Sequence, residues 1–357
     1  MKVETGPLLT IDNVSRSFAR PTSVKNYLSS MFKRENNHFW VLRNISFQLQ
    51  QGETLGLIGE SGCGKTTLAK IIIGLIQHTN SGQVRFASNP KSVSDYSDDE
   101  LRDYHKRVQM IFQNPDVSLN PRIKVAASLK EALKINRNGT PWAKEELRQE
   151  IIKHLEMVCL NADDMDKFPG ELSGGEKRRL CIARALAVNP ELIVADEPFT
   201  GLDISLRNQI VELILARHRT NSTTFLFITH DISTIGYLTT RIAVMYLGKL
   251  IELGSSKDML APTTPKHPYT SGLLAASRYL GAIAGEADER MLKHLSFEPT
   301  EKAYLTANNE CCVFRDRCYL YRELLSENQK ESCDHKDPAL QDVGGGHSIA
   351  CHFWDFK

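Results

Sequence analysis

The sequence contains no run approaching 18 uninterrupted apolar residues, so no segment of it is read as spanning a bilayer. It has almost no net charge. Lys and Arg number 44 against 43 Asp and Glu, a formal +1, which gives no global argument for nucleic acid as a partner. Its start, MKVETGPLLTIDNV, lacks the charged-then-apolar pattern of a secretory signal, so a cytosolic chain is expected. There is no internal repeat and no long low-complexity segment. No C-x2-C pair occurs, which removes the zinc-ribbon pattern. What remains is 357 residues, 41% hydrophobic, enough to bury a core in one large domain with an appendage, or in two domains.

Residues 8–18 and 41–49 alternate well enough to read as strands. Between them, 19–39 is polar and basic, with Lys25, Lys33 and Arg34 around Tyr27, Leu28, Met31 and Phe32. It reads as a surface insertion with a short amphipathic helix, or as a contact with a partner or membrane surface. Residues 54–58 form a short buried strand, 68–75 a helix, and 81–86 and 108–112 further strands. Most of 121–184 is helical, with 145–158 the clearest amphipathic stretch. Residues 192–195 and 224–229 are short apolar runs typical of parallel strands covered on both faces. A hairpin around Gly248 joins 241–246 to 249–252, and Pro262, Pro265 and Pro268 mark a boundary.

Chemistry enters at Gly59-Glu60-Ser61-Gly62-Cys63-Gly64-Lys65-Thr66-Thr67. The segment fits GxxxxGK[ST] and lies between an expected strand and an expected helix, the context that confirms a phosphate loop. Glycines let successive backbone N–H groups turn inward around phosphates. The helix N-terminus adds a partial positive charge. Lys65 is expected to reach the β- and γ-phosphates of ATP, and the Thr66 hydroxyl to ligate Mg²⁺. Cys63 reads as a small residue in the loop. Asp196, ending an apolar strand, is the expected second Mg²⁺ ligand, and Glu197 follows it in position to polarise an attacking water. The plain alternatives are a chance glycine-rich turn and an acid pair at a helix N-terminus.

Leu172-Ser173-Gly174-Gly175-Glu176 resembles the signature motif of ATP-binding cassette (ABC) proteins. Gln113 resembles that family's Q-loop glutamine, Thr200-Gly201-Leu202-Asp203 its D-loop, and His230 its switch histidine. The resemblance covers about residues 8–261. It implies an α/β fold: a P-loop ABC nucleotide-binding domain with a RecA-like core, an antiparallel β part and a helical subdomain near 121–184. That domain would span 1–262, with a small cysteine-rich extension at 263–357. The resemblance also implies ATP hydrolysis between two chains paired head to tail. Ser173, Gly174 and Gly175 of one chain would close on the γ-phosphate held by the other, and Asp203 would be a further nucleotide-binding residue. Glu197 would be the general base and His230 would contact the γ-phosphate. Gln113 would sense Mg²⁺ and the γ-phosphate and link them to a membrane subunit. Phe18 would stack on adenine, with Trp40 as the competitor.

Two strings narrow the branch. Residues 113–122 (QNPDVSLNPR) and His267-Pro268-Tyr269-Thr270 resemble ATPases of oligopeptide and dipeptide importers. The cysteines crowd the tail, and Cys312-x5-Cys318, Cys333 and Cys351 resemble the cysteine-bearing end of that branch, some members of which hold a 4Fe-4S cluster. Val313 stands where a proline is usual, and the spacer before Cys333 is long. From the residues alone, four thiolates on a loop-rich appendage suit an iron–sulfur cube, zinc, or no metal. Cys311 reads as a bystander, and Gly344-Gly345-Gly346 as a tight loop returning Cys351 to the others. The implied partners are a sister ATPase, or a second copy, and two membrane permease subunits. An extracytoplasmic peptide-binding protein acts indirectly. The implied place is the cytoplasmic face of the membrane, peripherally. Nickel, antimicrobial-peptide or polyamine transport remains open, as do a non-transport ABC ATPase and a non-enzymatic iron–sulfur scaffold.

Overall fold

The computed structural model describes residues 6–19, 38–77, 79–137, 140–262, 264, 266–279 and 311–356. The insertion expected between the first two strands lies outside the described residues at 20–37. Among the described residues, no helix is long and apolar enough to cross a membrane.

The two strand patterns of the sequence make two sheets. Where buried and exposed residues alternate, the strands are antiparallel: β1 (Leu9–Ala19) lies between β2 (His38–Leu49) and β4 (Ser81–Phe86). Where a run is buried almost throughout, it lies in a parallel core: β3 (Thr54–Ile58), β6 (Leu192–Asp196), β7 (Thr224–Thr229) and β8 (Arg241–Tyr246), with the half-buried β5 (Val108–Ile111) as its edge strand. β9 (Lys249–Ser255) turns back antiparallel on β8. Together with β10 (Gln341–Gly344) and β11 (His347–Ile349), these make an eight-stranded sheet in the order β10-β11-β9-β8-β3-β7-β6-β5. Successive residues of the central strands feed opposite faces. Phe225 and Phe227 enter one hydrophobic core, Leu226 and Ile228 the other.

Helices cover these faces. α1 (Lys65–Ile72) follows the glycine loop. It starts three residues earlier than the apolar pattern suggests, because Gly64 (φ 108) is its N-cap, and the chain turns out of it at Gly74 (φ 74). The helical region contains α2 (Val125–Asn136), α3 (Lys144–Met157) and α4 (Gly174–Ala187). Leu129, Leu133, Ile151, Leu155 and Leu180 join them into the core. α5 (Ile204–Asn221) precedes β7, and α6 (Pro268–Tyr279) begins at the HPYT string.

The tail continues the catalytic sheet. Ser348 and Ile349 pair with Leu253 and Glu252, so β11 covers the edge that β9 would otherwise leave open. The loop of the β10–β11 hairpin is Gly344-Gly345-Gly346, all three at positive φ (106, 64 and 74). Cys351 lies two residues beyond the end of β11. β9 runs on to Ser255, beyond the expected 249–252, because it has partners on both sides. Glu252 fixes the junction. Its buried carboxylate lies 2.8 Å from His347 Nε2 and accepts the His267 N–H at 3.0 Å. Glu252→Ala leaves both groups without that partner in the interior. It is expected to lower the unfolding free energy by about 3 kcal/mol, read by denaturant titration. A loss under about 0.5 kcal/mol, the size of a surface change, would contradict the anchoring role.

Candidate active site

β3 hands the chain to the glycine loop at Gly59. A Cβ there would lie 2.2 Å from the Met245 carbonyl oxygen, at φ 153, so only glycine fits. Gly64 has the same constraint against the Val41 carbonyl, at 2.5 Å. The loop thereby folds around its own lysine. Lys65 Nζ donates to the carbonyls of Gly59 (2.7 Å) and Glu60 (2.8 Å), with Cys63 Sγ at 3.7 Å. Burial pushes the Cys63 thiol up, although Lys65 opposes the shift.

β6 delivers the acids. The Thr66 hydroxyl donates to Asp196 Oδ2 at 2.8 Å across the sheet edge. Burial raises the Asp196 carboxyl above its usual range and neighbouring Glu197 adds to the rise, against the Thr66 hydrogen bond. A cation beside Asp196 would reverse that balance. Thr66 and Asp196 supply two hard oxygen donors, which fits Mg²⁺, an ion that takes few protein ligands and completes its shell with water and phosphate. Among the described residues, no three His, Cys, Asp or Glu side chains gather closely enough to hold a metal ion by themselves.

Glu197 sits at φ 49, a backbone that costs a non-glycine residue about 1–3 kcal/mol. Its surroundings hold it there. Its N–H donates to Ile228 O at 2.8 Å, and Arg178 Nη1 donates to its carbonyl at 2.6 Å. The carboxylate accepts from Thr200 Oγ1 (3.1 Å), Thr229 Oγ1 (3.3 Å) and the His230 N–H (3.2 Å). His230 Nδ1 lies 2.7 Å from the same carboxylate, while its side chain is 67% exposed. Ser61, Gly62, Gly64, Lys65, Thr66 and Thr67 line a cavity of about 230 Å³ together with Gln113, Asp196, Glu197 and Val41.

The remaining sequence candidates lie elsewhere. Ser173, Gly174, Gly175 and Asp203 do not line the cavity. Ser173 is the N-cap of α4 and forms a capping box with Glu176, and Asp203 caps α5 through the Leu206 N–H at 2.9 Å. Phe18 also lies outside the cavity lining. It is 38% exposed with the Arg16 guanidinium 4.7 Å from its ring centre, and Trp40 pairs across from Ser17 on β2. Cys312, Cys318, Cys333 and Cys351 come together in the tail. The Cys312 N–H donates to the Cys333 carbonyl at 2.8 Å. Burial pushes the thiols of Cys318 and Cys333 up to about 12, each helped by Cys312. Cys351 is raised by burial and by all three others.

Sequence reading missed Arg178. This buried arginine donates to the backbone carbonyls of both Gln113 and Glu197, so it fixes the distance between the two segments. The signal was a charge inside a helix whose neighbours Leu180, Ile182 and Ala183 are core, a placement that demands a partner. It also missed Tyr269 and Arg317, which reach the glycine loop from the extension.

A glycine-rich loop around a lysine, an acid bonded to Thr66 and a strained glutamate at one strand edge are the arrangement of a P-loop ATPase site. The profile of ABC transporters matches residues 42–200. The oligopeptide transport ATP-binding protein AppF of Bacillus subtilis (strain 168) is 34% identical over 338 residues, 93% of this chain and 95% of AppF. OppF of the same organism, also an oligopeptide transport ATP-binding protein, is 44% identical over 234 residues, 65% of this chain and 74% of its own. The dimeric ATP-binding cassette MJ0796, solved in a post-hydrolysis state with ADP and Pi, has a TM-score of 0.59 at 25% identity, over 70% of this chain and 98% of that one. The chain belongs to the ATP-binding proteins of ABC transporters, in the group of the oligopeptide transport ATP-binding proteins.

Arg178→Met is expected to reduce ATP turnover about 10²-fold by releasing the Glu197 backbone, with nucleotide binding retained. Steady-state hydrolysis beside a binding titration measures this. Turnover at the wild-type rate would refute the positioning of Glu197 by Arg178.

Proposed function

We propose that this chain hydrolyses ATP to power peptide uptake through separate membrane subunits. The observation that carries the reading is the single cavity bounded by Lys65, Thr66, Gln113, Asp196 and Glu197 at the ends of the parallel strands. The peptide cargo is supported by similarity to oligopeptide transport proteins over nearly the full chain.

Each residue has a role its geometry suits. Residues 59–67 hold the phosphates through backbone N–H groups, and Lys65 leaves its two loop carbonyls to meet the β- and γ-phosphates. Thr66 and Asp196 hold Mg²⁺, which when bound neutralises phosphate charge. Glu197 takes the proton of the attacking water. His230 orients Glu197 through Nδ1 and presents its exposed edge to the γ-phosphate. Gln113, tied to Glu197 through Arg178, reports on Mg²⁺ and the γ-phosphate to the membrane subunit. Adenine stacks on Phe18 or Trp40. The helix start at Ser173, Gly174 and Gly175, exposed at Ser173 and Gly174 with nothing within 4 Å of a Cβ on Gly174, suits closure on the nucleotide of a second ATPase chain, Asp203 joining the same interface. That second chain is a sister ATPase or another copy. Two permease subunits complete the membrane assembly, on whose cytoplasmic face this chain sits, and a binding protein delivers peptide from outside. Residues 1–262 form the cassette and 263–357 its extension.

We further infer a 4Fe-4S cluster on Cys312, Cys318, Cys333 and Cys351. The thiols of Cys318, Cys333 and Cys351 are buried, Cys312 is half-buried and raises all three, and binding a metal as thiolates would relieve that cost. A cube takes one thiolate per corner, and the four cysteines supply four. With no partner for electron transfer in view, the cluster would serve structure. Anaerobic protein is expected to carry about four irons per chain, lost along with thermal stability in Cys318→Ser. One zinc per chain, or no metal, would refute the cluster.

Glu197→Gln tests the ATPase reading. ATP binding is expected to persist while hydrolysis falls roughly 10²–10⁴-fold, with the chain accumulating as a closed dimer alone or with its sister. Hydrolysis at the wild-type rate would remove Glu197 as the base.

A further inference from the structure

Glu60, the second residue of the phosphate loop, is gripped at three points. Its carbonyl accepts from Lys65 Nζ at 2.8 Å. Its N–H donates to the Tyr269 hydroxyl at 3.0 Å. Its carboxylate takes a two-pronged bond from Arg317, with Nη1 and Nη2 each at 2.8 Å from one oxygen. Tyr269 and Arg317 both belong to the extension, far from the loop in sequence. Neither is a loose surface contact. Tyr269 is fully buried, and the Arg317 side chain is 5% exposed against 34% for Glu60. An aromatic group backs the arginine: Tyr246 and Phe314 meet edge to face at 5.2 Å, and Tyr246 lies beside Tyr269 at 4.8 Å. The Arg317 guanidinium carbon lies 5.6 Å from the Tyr246 ring centre.

We propose that Arg317 is a positioning residue for the nucleotide site, and that the extension thereby sets the affinity of the phosphate loop for ATP. Lys65 must leave the Glu60 carbonyl to reach a phosphate. A loop held only by that lysine would lose its shape as the lysine departs. Arg317 and Tyr269 hold Glu60 from the other side, so the N–H groups of the loop stay aimed inward. The planar guanidinium matches a carboxylate with two parallel bonds and fixes direction as well as distance. Because Arg317 immediately precedes Cys318, order in the cysteine-bearing tail reaches the loop through one peptide unit.

The inference rests on the reading of residues 59–67 as the ATP site. MgATP titrations of the full chain and of Glu60→Gln, Arg317→Met and the double variant test it, with melting curves alongside. Each single change is expected to weaken MgATP binding about tenfold, the equivalent of one charge-assisted bond, and the double change to do no more. Arg317→Lys, which keeps the charge and loses the fork, is expected to recover part of the loss. The rise is expected in KM more than in kcat. Binding by Glu60→Gln within about twofold of wild type, or losses that multiply in the double variant, would overturn the proposal. Glu60→Gln alters the half-exposed partner and decides the matter alone if Arg317→Met fails to fold. Wild-type chain that binds no MgATP would overturn the nucleotide reading itself.

Discussion

The strand register at the middle of the large sheet governs where the chemistry falls. Ile58 is level with Thr229, and Ile228 with Asp196, so three neighbouring parallel strands end together. The glycine loop leaves one of them, His230 the next, and the Asp196-Glu197 pair the third. Ligands in open α/β sheets bind outside the carboxyl ends of the strands, and here that edge carries the acids, the lysine and the histidine together. A slip of one residue would turn Asp196 to the other face and lose its bond to Thr66. Packing resists the slip, since Phe225 and Phe227 stack nearly parallel at 5.2 Å within one core while their neighbours fill the other.

The same sheet explains why the extension does not behave as a hanging tail. β11 pairs on β9, Glu252 holds both His347 and the start of α6, and Arg317 with Tyr269 reaches the phosphate loop. The strain at Glu197 is likewise held from a distance, by Arg178 on the helix that begins at the signature motif. The site therefore depends on residues from the cassette, the helical region and the extension at once.

The sequence revealed the parts whose signal is local. The short, mainly apolar runs at 54–58, 192–195 and 224–229 read as buried strands, and all three are buried strands. The glycine loop was legible because its spacing is imposed by phosphate geometry. The first helix was placed late because its apolar pattern starts after Lys65, Thr66 and Thr67, which serve the loop first. What stayed hidden was long-range. Nothing near His347 or Ile349 announces a strand partner almost a hundred residues away. Arg178 and Arg317 read as ordinary charges until their carbonyl and carboxylate partners are brought to them by the fold. The crowding of cysteines in the tail was legible, though their spacing departs from the family pattern.

The most direct measurement is a calorimetric titration of the chain with MgATP beside its Lys65→Ala variant. Binding with a dissociation constant in the micromolar to submillimolar range, about −8 to −5 kcal/mol, and its loss in the variant are the expected results. Equal binding by the two chains, or none by the wild type, would contradict a nucleotide site at this strand edge.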